Sequence, residues 1–187
     1  MKKIIFLIII IILVILALNY NNIRDKILQG LYPIKYSEYV EKYSKEYDVD
    51  TKLVYAIIKA ESNFESDAVS GKGACGLMQL MYTTAEEIAE KLEININEKT
   101  IMDPKININL GTKYISILID KYENIGVALA AYNAGSGNVN SWIEEGIIKA
   151  DGSDIENIPY KETNNYVRKI LRDYKIYEYL YEVKKWI

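Results

Sequence analysis

Glu61 and Glu65 close an apolar run in the stretch IIKAESNFESDAVSGKGACGLMQLM, Ile57 to Met81, and the whole chain of 187 residues contains no histidine. That absence removes Ser-His-Asp and Cys-His nucleophile systems, histidine general bases and most zinc sites. Carboxylates become the leading candidates for proton transfer. Val54, Ile57, Ile58 and Glu61 recur at i, i+3, i+4 and i+7, so on a helix Glu61 shares the core-facing stripe. A carboxyl in that position loses water, and near the helix C-terminus the backbone dipole is negative. Both effects disfavour the charged form. Lys59 points elsewhere, and no other cation shares the stripe. The expectation is a carboxyl with a raised pKa that donates a proton near neutral pH; the alternative is a plain surface charge. Glu65 lies past the helix end in a polar stretch and reads as an ordinary solvated acid.

Behind the acid comes a loop with Ser70, Gly71, Gly73 and Gly76. Glycines let backbone N–H and C=O groups approach a ligand without side-chain obstruction, though such loops also simply turn corners. Gln79 is an amide embedded in the apolar GLMQLM, where it either pairs internally or faces a polar ligand. Cys75 is the single cysteine, so no internal disulfide forms; its setting suits a small buried hydrophobe better than a reactive thiol. With one Cys, no His and no ligand-spaced acid cluster, neither a metal nor another cofactor is expected.

These residues need helices to position them. Tyr36, Tyr39, Val40, Tyr43 and Tyr47 recur at helical spacing. Asp50 reads as the N-cap of the helix that carries Glu61. Thr83 or Thr84, with Glu86 or Glu87 three residues on, gives a capping-box signature for a third helix. Asp103 followed by Pro104 opens another, and a short helix over about 125–133 stops at AGSG, where Gly135 and Gly137 permit a turn. The tail from Tyr160 is again helical in pattern. The fold class is mainly α, with at most a small hairpin near Ile147 to Ile158. Seventeen tyrosines against two phenylalanines fit core and boundary packing more simply than a carbohydrate groove.

The N-terminus is a separate element. MKKIIFLIIIIILVILALNY puts two lysines before an unbroken apolar run from Ile4 to Leu18, between a typical signal-peptide core and a full membrane span in length. Around Ala17 the small alternating residues of a cleavage site are missing. An uncleaved single-pass signal anchor in the cell membrane is therefore expected over residues 1–20, with Lys2 and Lys3 cytoplasmic and the remainder extracytoplasmic. Residues 21–35 read as a juxtamembrane linker, and 36–187 as one helical domain. Net charge is −3 and becomes more negative once Lys2 and Lys3 are set aside. With no basic stripe, nucleic acid is a poor partner.

Five blocks, AIIKAESNF, AVSGKGACGLMQLM, NINLGTKYI, ALAAYNAGSGNV and IPYKETNNYV, stand in the order and approximate spacing of the soluble lytic transglycosylase domain. The chain resembles that family from about Tyr36 to Leu180. The resemblance implies a fold similar to goose-type lysozyme, with a substrate groove, and cleavage of the β-1,4 bond between N-acetylmuramic acid and N-acetylglucosamine in the glycan strands of peptidoglycan. One Glu then protonates the glycosidic oxygen and next acts as base toward the muramyl 6-hydroxyl, leaving a 1,6-anhydro end. This differs from the usual pair of glycosidase carboxylates.

Carried over to this sequence, the resemblance makes Glu61 the catalytic glutamate and Ser62 the small polar residue after it. Ser70, Gln79 and Met81 fall on groove-lining positions, Tyr132 and Asn133 on the aromatic and amide beside the acid, and Glu162 and Tyr166 on the last block. Tyr132 suits a hydrogen bond to the Glu61 carboxyl or to sugar, and core packing equally well. Two departures stand out: Tyr82 where Pro is common, and Asn164 where Arg is common. The first bears on loop geometry and the second on a groove-edge contact. Two other readings stay open, a hydrolase using Glu65 or Glu162 to place water, and a wall-binding module without turnover. Protein partners are not legible.

Overall fold

The computed structural model describes residues 2–184, without the side chains at 2, 3, 7, 12, 16, 18 and 181–184. The side chains of Lys2 and Lys3, expected as a cytoplasmic flank, therefore lie outside the described residues. The chain divides into two units, Met1–Pro33 with Tyr179–Ile187, and Ile34–Glu178.

The first unit contains α1, Lys2–Leu31, which bends by 60° between Ile15 and Asn19. At the bend the Asn19 side chain donates to the Ile15 carbonyl at 2.8 Å, a side-chain bond of the kind that tilts a helical turn. The stretch expected as a linker is thus helical as far as Leu31. Among the described residues no single helix is long and apolar enough to cross a membrane; only Ile4–Ile15 and Asn19–Leu31 taken together reach that length and composition.

The second unit carries α2 (Ser37–Glu46), α3 (Thr51–Ser62), α4 (Tyr82–Lys91), α5 (Pro104–Tyr122), α6 (Ile125–Ala134) and α7 (Ser136–Glu144), and α8 runs over Lys161–Lys184. Three starts follow the side-chain chemistry of helix caps. Asp50 accepts from the Lys52 N–H, Asp103 from the Ile106 N–H with Pro104 in the first turn, and Asn124 from the Val127 N–H.

Three sequence expectations need correction or completion. α4 begins at Tyr82 with Met81 as its uncapped N-cap residue, ahead of the threonines, because the preceding loop delivers the chain in extended form at Met81. Tyr82 thus occupies the first helical position, where Pro is well tolerated in other proteins and Tyr costs little. Second, the helix expected to stop at AGSG does stop there, after Ala134, but Gly135, at φ 85°, is also the N-cap of a further helix, α7, that the sequence did not lead one to expect. Third, the segment expected as a hairpin holds no strand; it is a turn at Gly146 followed by a 3-10 turn, Ile155–Asn157. Asn164 ties that turn to α8 by donating to the Glu156 carbonyl at 2.7 Å.

α3 departs from the one-sided stripe of the sequence reading. Six consecutive residues, Leu53 to Ile58, are buried, so the helix is enclosed on every side, which its nearly continuous apolar run permits. α2 packs against both α3 and α5, and α8 meets α3 through the stacked Tyr55 and Tyr177 rings, 5.6 Å apart.

Candidate active site

Glu61 sits in the last turn of α3, the buried central helix, and is the point where that helix meets an open groove. Behind it the chain reverses through two left-handed residues, Asn63 (φ 50°) and Phe64 (φ 67°). Asn suits such a helix end. Phe does not, and is held there by burial and by ring contact with Tyr55 at 6.3 Å.

The glycine-rich segment forms one wall and is pinned from several sides. Ser70 and Ala74 close a tight turn in which the Ser70 hydroxyl accepts from the Ala74 N–H at 2.9 Å. Cys75 and Leu80 exchange backbone bonds in both directions, at 2.9 and 3.0 Å. Asn107 on α5 is wholly buried and satisfies three backbone groups of this neighbourhood. Its Oδ1 accepts from the Met78 N–H at 2.7 Å, and its Nδ2 donates to the carbonyls of Cys75 and Ile101 at 3.0 and 2.9 Å. Gly76 lies so close to that amide that a Cβ would stand 2.4 Å from the Asn107 Nδ2.

Two hollows meet at Glu61, of about 510 and 480 Å³. Glu61, Ser70 and Gln79 line both of them. The first continues to Ser62, Glu65, Val69 and Lys169, and the second to Lys72, Met81, Tyr132, Asn133 and Glu162. The catalytic and substrate-binding candidates Glu61, Ser62, Ser70, Gln79, Met81, Tyr132, Asn133 and Glu162 therefore all line one or both hollows, and Tyr166 reaches Glu61 from α8.

Their bonding differs in kind. Tyr166 donates its hydroxyl to Glu61 Oε1 at 2.6 Å. Tyr132, for which a bond to Glu61 or to sugar and plain packing were equally open, donates to the Met78 carbonyl at 2.8 Å, with its ring against Tyr114 at 5.0 Å. It supports the wall beside the acid. Burial holds both tyrosines well above the ordinary phenol pKa, so both remain donors. Ser62 is buried and gives its hydroxyl to the carbonyls of Ile58 and Leu77, joining α3 to the loop. Gln79, left-handed at φ 46°, spends its Nε2 on the carbonyls of Ala68 and Gly76. The internal-pairing alternative thus holds for its nitrogen. Asn133 accepts from Thr163 at 2.8 Å, linking α6 to α8. Glu162, exposed, lies 3.8 Å from the Lys72 ammonium, and Met81 is 43% exposed at the groove edge.

Desolvation lifts the Glu61 carboxyl to about 7, while the Tyr166 hydroxyl and the Lys169 ammonium pull it downward. Sequence reasoning found the burial and missed the cation. Lys169 comes from 108 positions away in sequence and donates to the Ala60 carbonyl at 3.1 Å. Asn107 and Thr163 were missed as well; a lone amide on an apolar helix was the available signal for the first. Among the described residues no group of three or more His, Cys, Asp or Glu side chains could hold a metal ion.

The Transglycosylase SLT domain matches residues 38–153. The soluble lytic murein transglycosylase of Escherichia coli K12 is 31% identical over 156 residues, 81% of this chain and 24% of that protein. Membrane-bound lytic murein transglycosylase C of Serratia proteamaculans is 34% identical over 116 residues, 56% of this chain and 32% of that protein. Among solved structures, an inactive mutant of the lytic transglycosylase Slt from Pseudomonas aeruginosa superposes with a TM-score of 0.75 at 36% identity, covering 80% of this chain and 25% of that one. The 70-kDa soluble lytic transglycosylase of Escherichia coli gives 0.74 at 29% identity, covering 81% and 25%. This chain spans about a quarter of the length of the soluble relatives it matches. With most of the second unit matched by the family and aligned with solved members of similar helical fold, the chain belongs to the Transglycosylase SLT domain family.

Proposed function

We propose that the chain is a membrane-anchored peptidoglycan lytic transglycosylase that cleaves the MurNAc-β-1,4-GlcNAc bond with Glu61 as acid and then base. One observation carries the reading: the carboxyl with the raised pKa, held by Tyr166 at 2.6 Å, stands where two hollows of one groove meet. In the first step the Glu61 proton passes to the bridging oxygen as the C1–O bond breaks, which frees the hydroxyl of the departing sugar. In the second, the resulting carboxylate takes the proton of the muramyl 6-hydroxyl while that oxygen bonds C1. Atoms and charges balance without an incoming water, and the acid returns to its starting state. A group titrating near 7 is suited to both halves, being neither a reluctant donor nor a feeble acceptor near neutral pH.

Tyr166 fixes the carboxyl rotamer, while Ser70, Gln79, Met81 and Asn133 offer the groove surface against which sugars lie. Ser62 and Tyr132 contribute through the wall they hold. Glu162 and its Lys72 partner border the second hollow. Hydrolysis on the same scaffold would need a carboxylate to place water, for which Glu65 and Glu162 are the candidates in the two hollows.

The names of the relatives support the reaction class, and the relatives named membrane-bound support an anchored form, with residues 1–20 as the anchor, 21–35 as the linker and 36–187 as the extracytoplasmic domain. The decisive experiment digests purified peptidoglycan and weighs the released ends. Products lacking one water, as 1,6-anhydro ends do, are expected. Reducing ends of full hydrated mass would make the protein a hydrolase, and glycan binding with no product at any pH would make it a wall-binding module.

A further inference from the structure

α8 brings two side chains to the C-terminal end of α3 from successive turns. Tyr166 and Lys169 are three residues apart, hence on one helical face. The first bonds the Glu61 carboxyl at 2.6 Å and the second bonds the carbonyl of the preceding residue, Ala60, at 3.1 Å. Lys169 borders the same hollow as Glu61. Its position serves two electrostatic ends at once. A cation at the last turn of α3 offsets the negative end of that helix, and it also favours the ionised state of the neighbouring carboxyl.

We propose that Lys169 is a positioning residue of the active site, its ammonium anchored on the Ala60 carbonyl so as to stabilise the carboxylate that Glu61 becomes between its acid and base steps. The inference rests on the transglycosylase reading above for its mechanistic meaning. Its electrostatic content is independent of it. The other groups around the acid do not duplicate the role. From α8, Tyr166 is a neutral donor and Glu162 an exposed acid. From α6, Tyr132 is neutral, with Tyr114 of α5 behind it. In the loops, Glu65 is an acid and Lys72 reaches toward Glu162. On α3 itself, Lys59 borders the same hollow, but burial pushes its ammonium below the ordinary value, with Asp173 opposing and Lys169 adding to the fall, and it is not among the groups that shift the Glu61 carboxyl. The positive charge that pulls the Glu61 carboxyl downward is that of Lys169.

This division of labour matters because a single group must both give and regain a proton. Burial alone would leave a carboxyl that holds its proton well but ionises at a high cost. Lys169 and Tyr166 oppose burial from one helix, so the balance is set by how α8 docks on α3.

The test uses the full chain and its Lys169→Met and Lys169→Arg variants. The Glu61 carboxyl is followed directly by NMR of protein labelled with carbon-13 at the glutamate side-chain carboxyls, its signal identified by its loss in Glu61→Gln. In parallel, kcat/KM on glycan strands is measured against pH. In Lys169→Met the Glu61 midpoint is expected to rise by about half a pH unit or more, as loss of a nearby, partly solvated cation requires. The alkaline limb of the rate profile should move with it, and Lys169→Arg should restore both. An unmoved midpoint in Lys169→Met overturns the proposal whatever the activity. A moved midpoint in a protein that releases only hydrated ends leaves the proposal standing and removes the transglycosylase reading instead.

Discussion

At the residue scale, the role proposed for Glu61 carries a folding cost, and the cost is measurable. Its carboxyl titrates at about 7 in the folded protein against 4.5 ordinarily. Between these values the unfolded chain gives up a proton that the folded chain keeps. The sign follows from linkage: the stability attached to this raised group is complete below about pH 4.5 and is lost as pH rises through 7. The full loss is on the order of 3 kcal/mol above that window. Glu61→Gln removes the titration, keeps the side-chain length, and still offers an oxygen to the Tyr166 hydroxyl. The variant is expected to melt several degrees above the parent at pH 8 and close to it at pH 4, while losing the transglycosylase activity proposed above. Equal differences in melting temperature at both pH values would mean that the carboxyl is solvated. The acid itself was legible in the sequence because burial follows from periodicity. Its partner was not. Tyr132 and Tyr166 are equally plausible donors in one dimension, and only the docking of α8 decides that Tyr166 takes the carboxyl and Tyr132 the Met78 carbonyl.

At the element scale, the groove depends on a loop that lacks regular structure of its own and borrows rigidity from α5. Asn107 satisfies a donor and two acceptors there, and Gly76 exists to let that amide approach. Gly76→Ala meets two penalties together. The residue has φ 76°, where a Cβ is disfavoured, and the new atom would lie 2.4 Å from Asn107 Nδ2. A loss of roughly 2 kcal/mol or more is expected, read by chemical denaturation, with a fall in activity as the Met78–Gln79 wall shifts. The control is Gly71→Ala, since a Cβ there meets nothing within 4 Å. If both substitutions cost the same, Asn107 is not the clamp. Elements whose ends obey local chemistry were readable from the sequence: Asp50, Asp103 and Asn124 all cap helices, although the Asn124 cap was not singled out. Elements whose ends are set by neighbours were not. Thr83 and Thr84 had the chemistry of a cap, yet the bridge between Cys75 and Leu80 already aligns the chain so that the helix starts at Tyr82. α7 was missed because Gly135 serves as a stop and a start at once.

At the scale of the whole molecule, the second unit accounts for the groove and the first unit for a different physical problem. Ile4, Phe6 and Leu13 are 64, 66 and 59% exposed on α1, a continuous apolar surface that water does not favour and that a soluble monomer rarely carries. Farther along the same helix the character changes. Arg24 bonds Asp25 at 3.1 Å and lies over the Tyr179 ring, whose hydroxyl donates to Asp25 at 2.7 Å. A membrane is the occupant proposed for the apolar part, and this polar knot is suited to the interface beyond it. The full chain should then resist extraction from membranes by alkaline carbonate and retain residues 1–20 in its intact mass. Replacing Ile11 and Val14 by arginine puts two charges into the apolar stretch, each costing about 2.5–3.5 kcal/mol at the centre of a bilayer. The double variant is expected in the soluble fraction with its fold intact, because both positions lie outside the unit that holds the groove. Parent protein released by carbonate, or recovered without its first residues, would remove the anchor. The acid at position 61 would keep its surroundings in either case, since every side chain shown to shape them belongs to Ile34–Glu178.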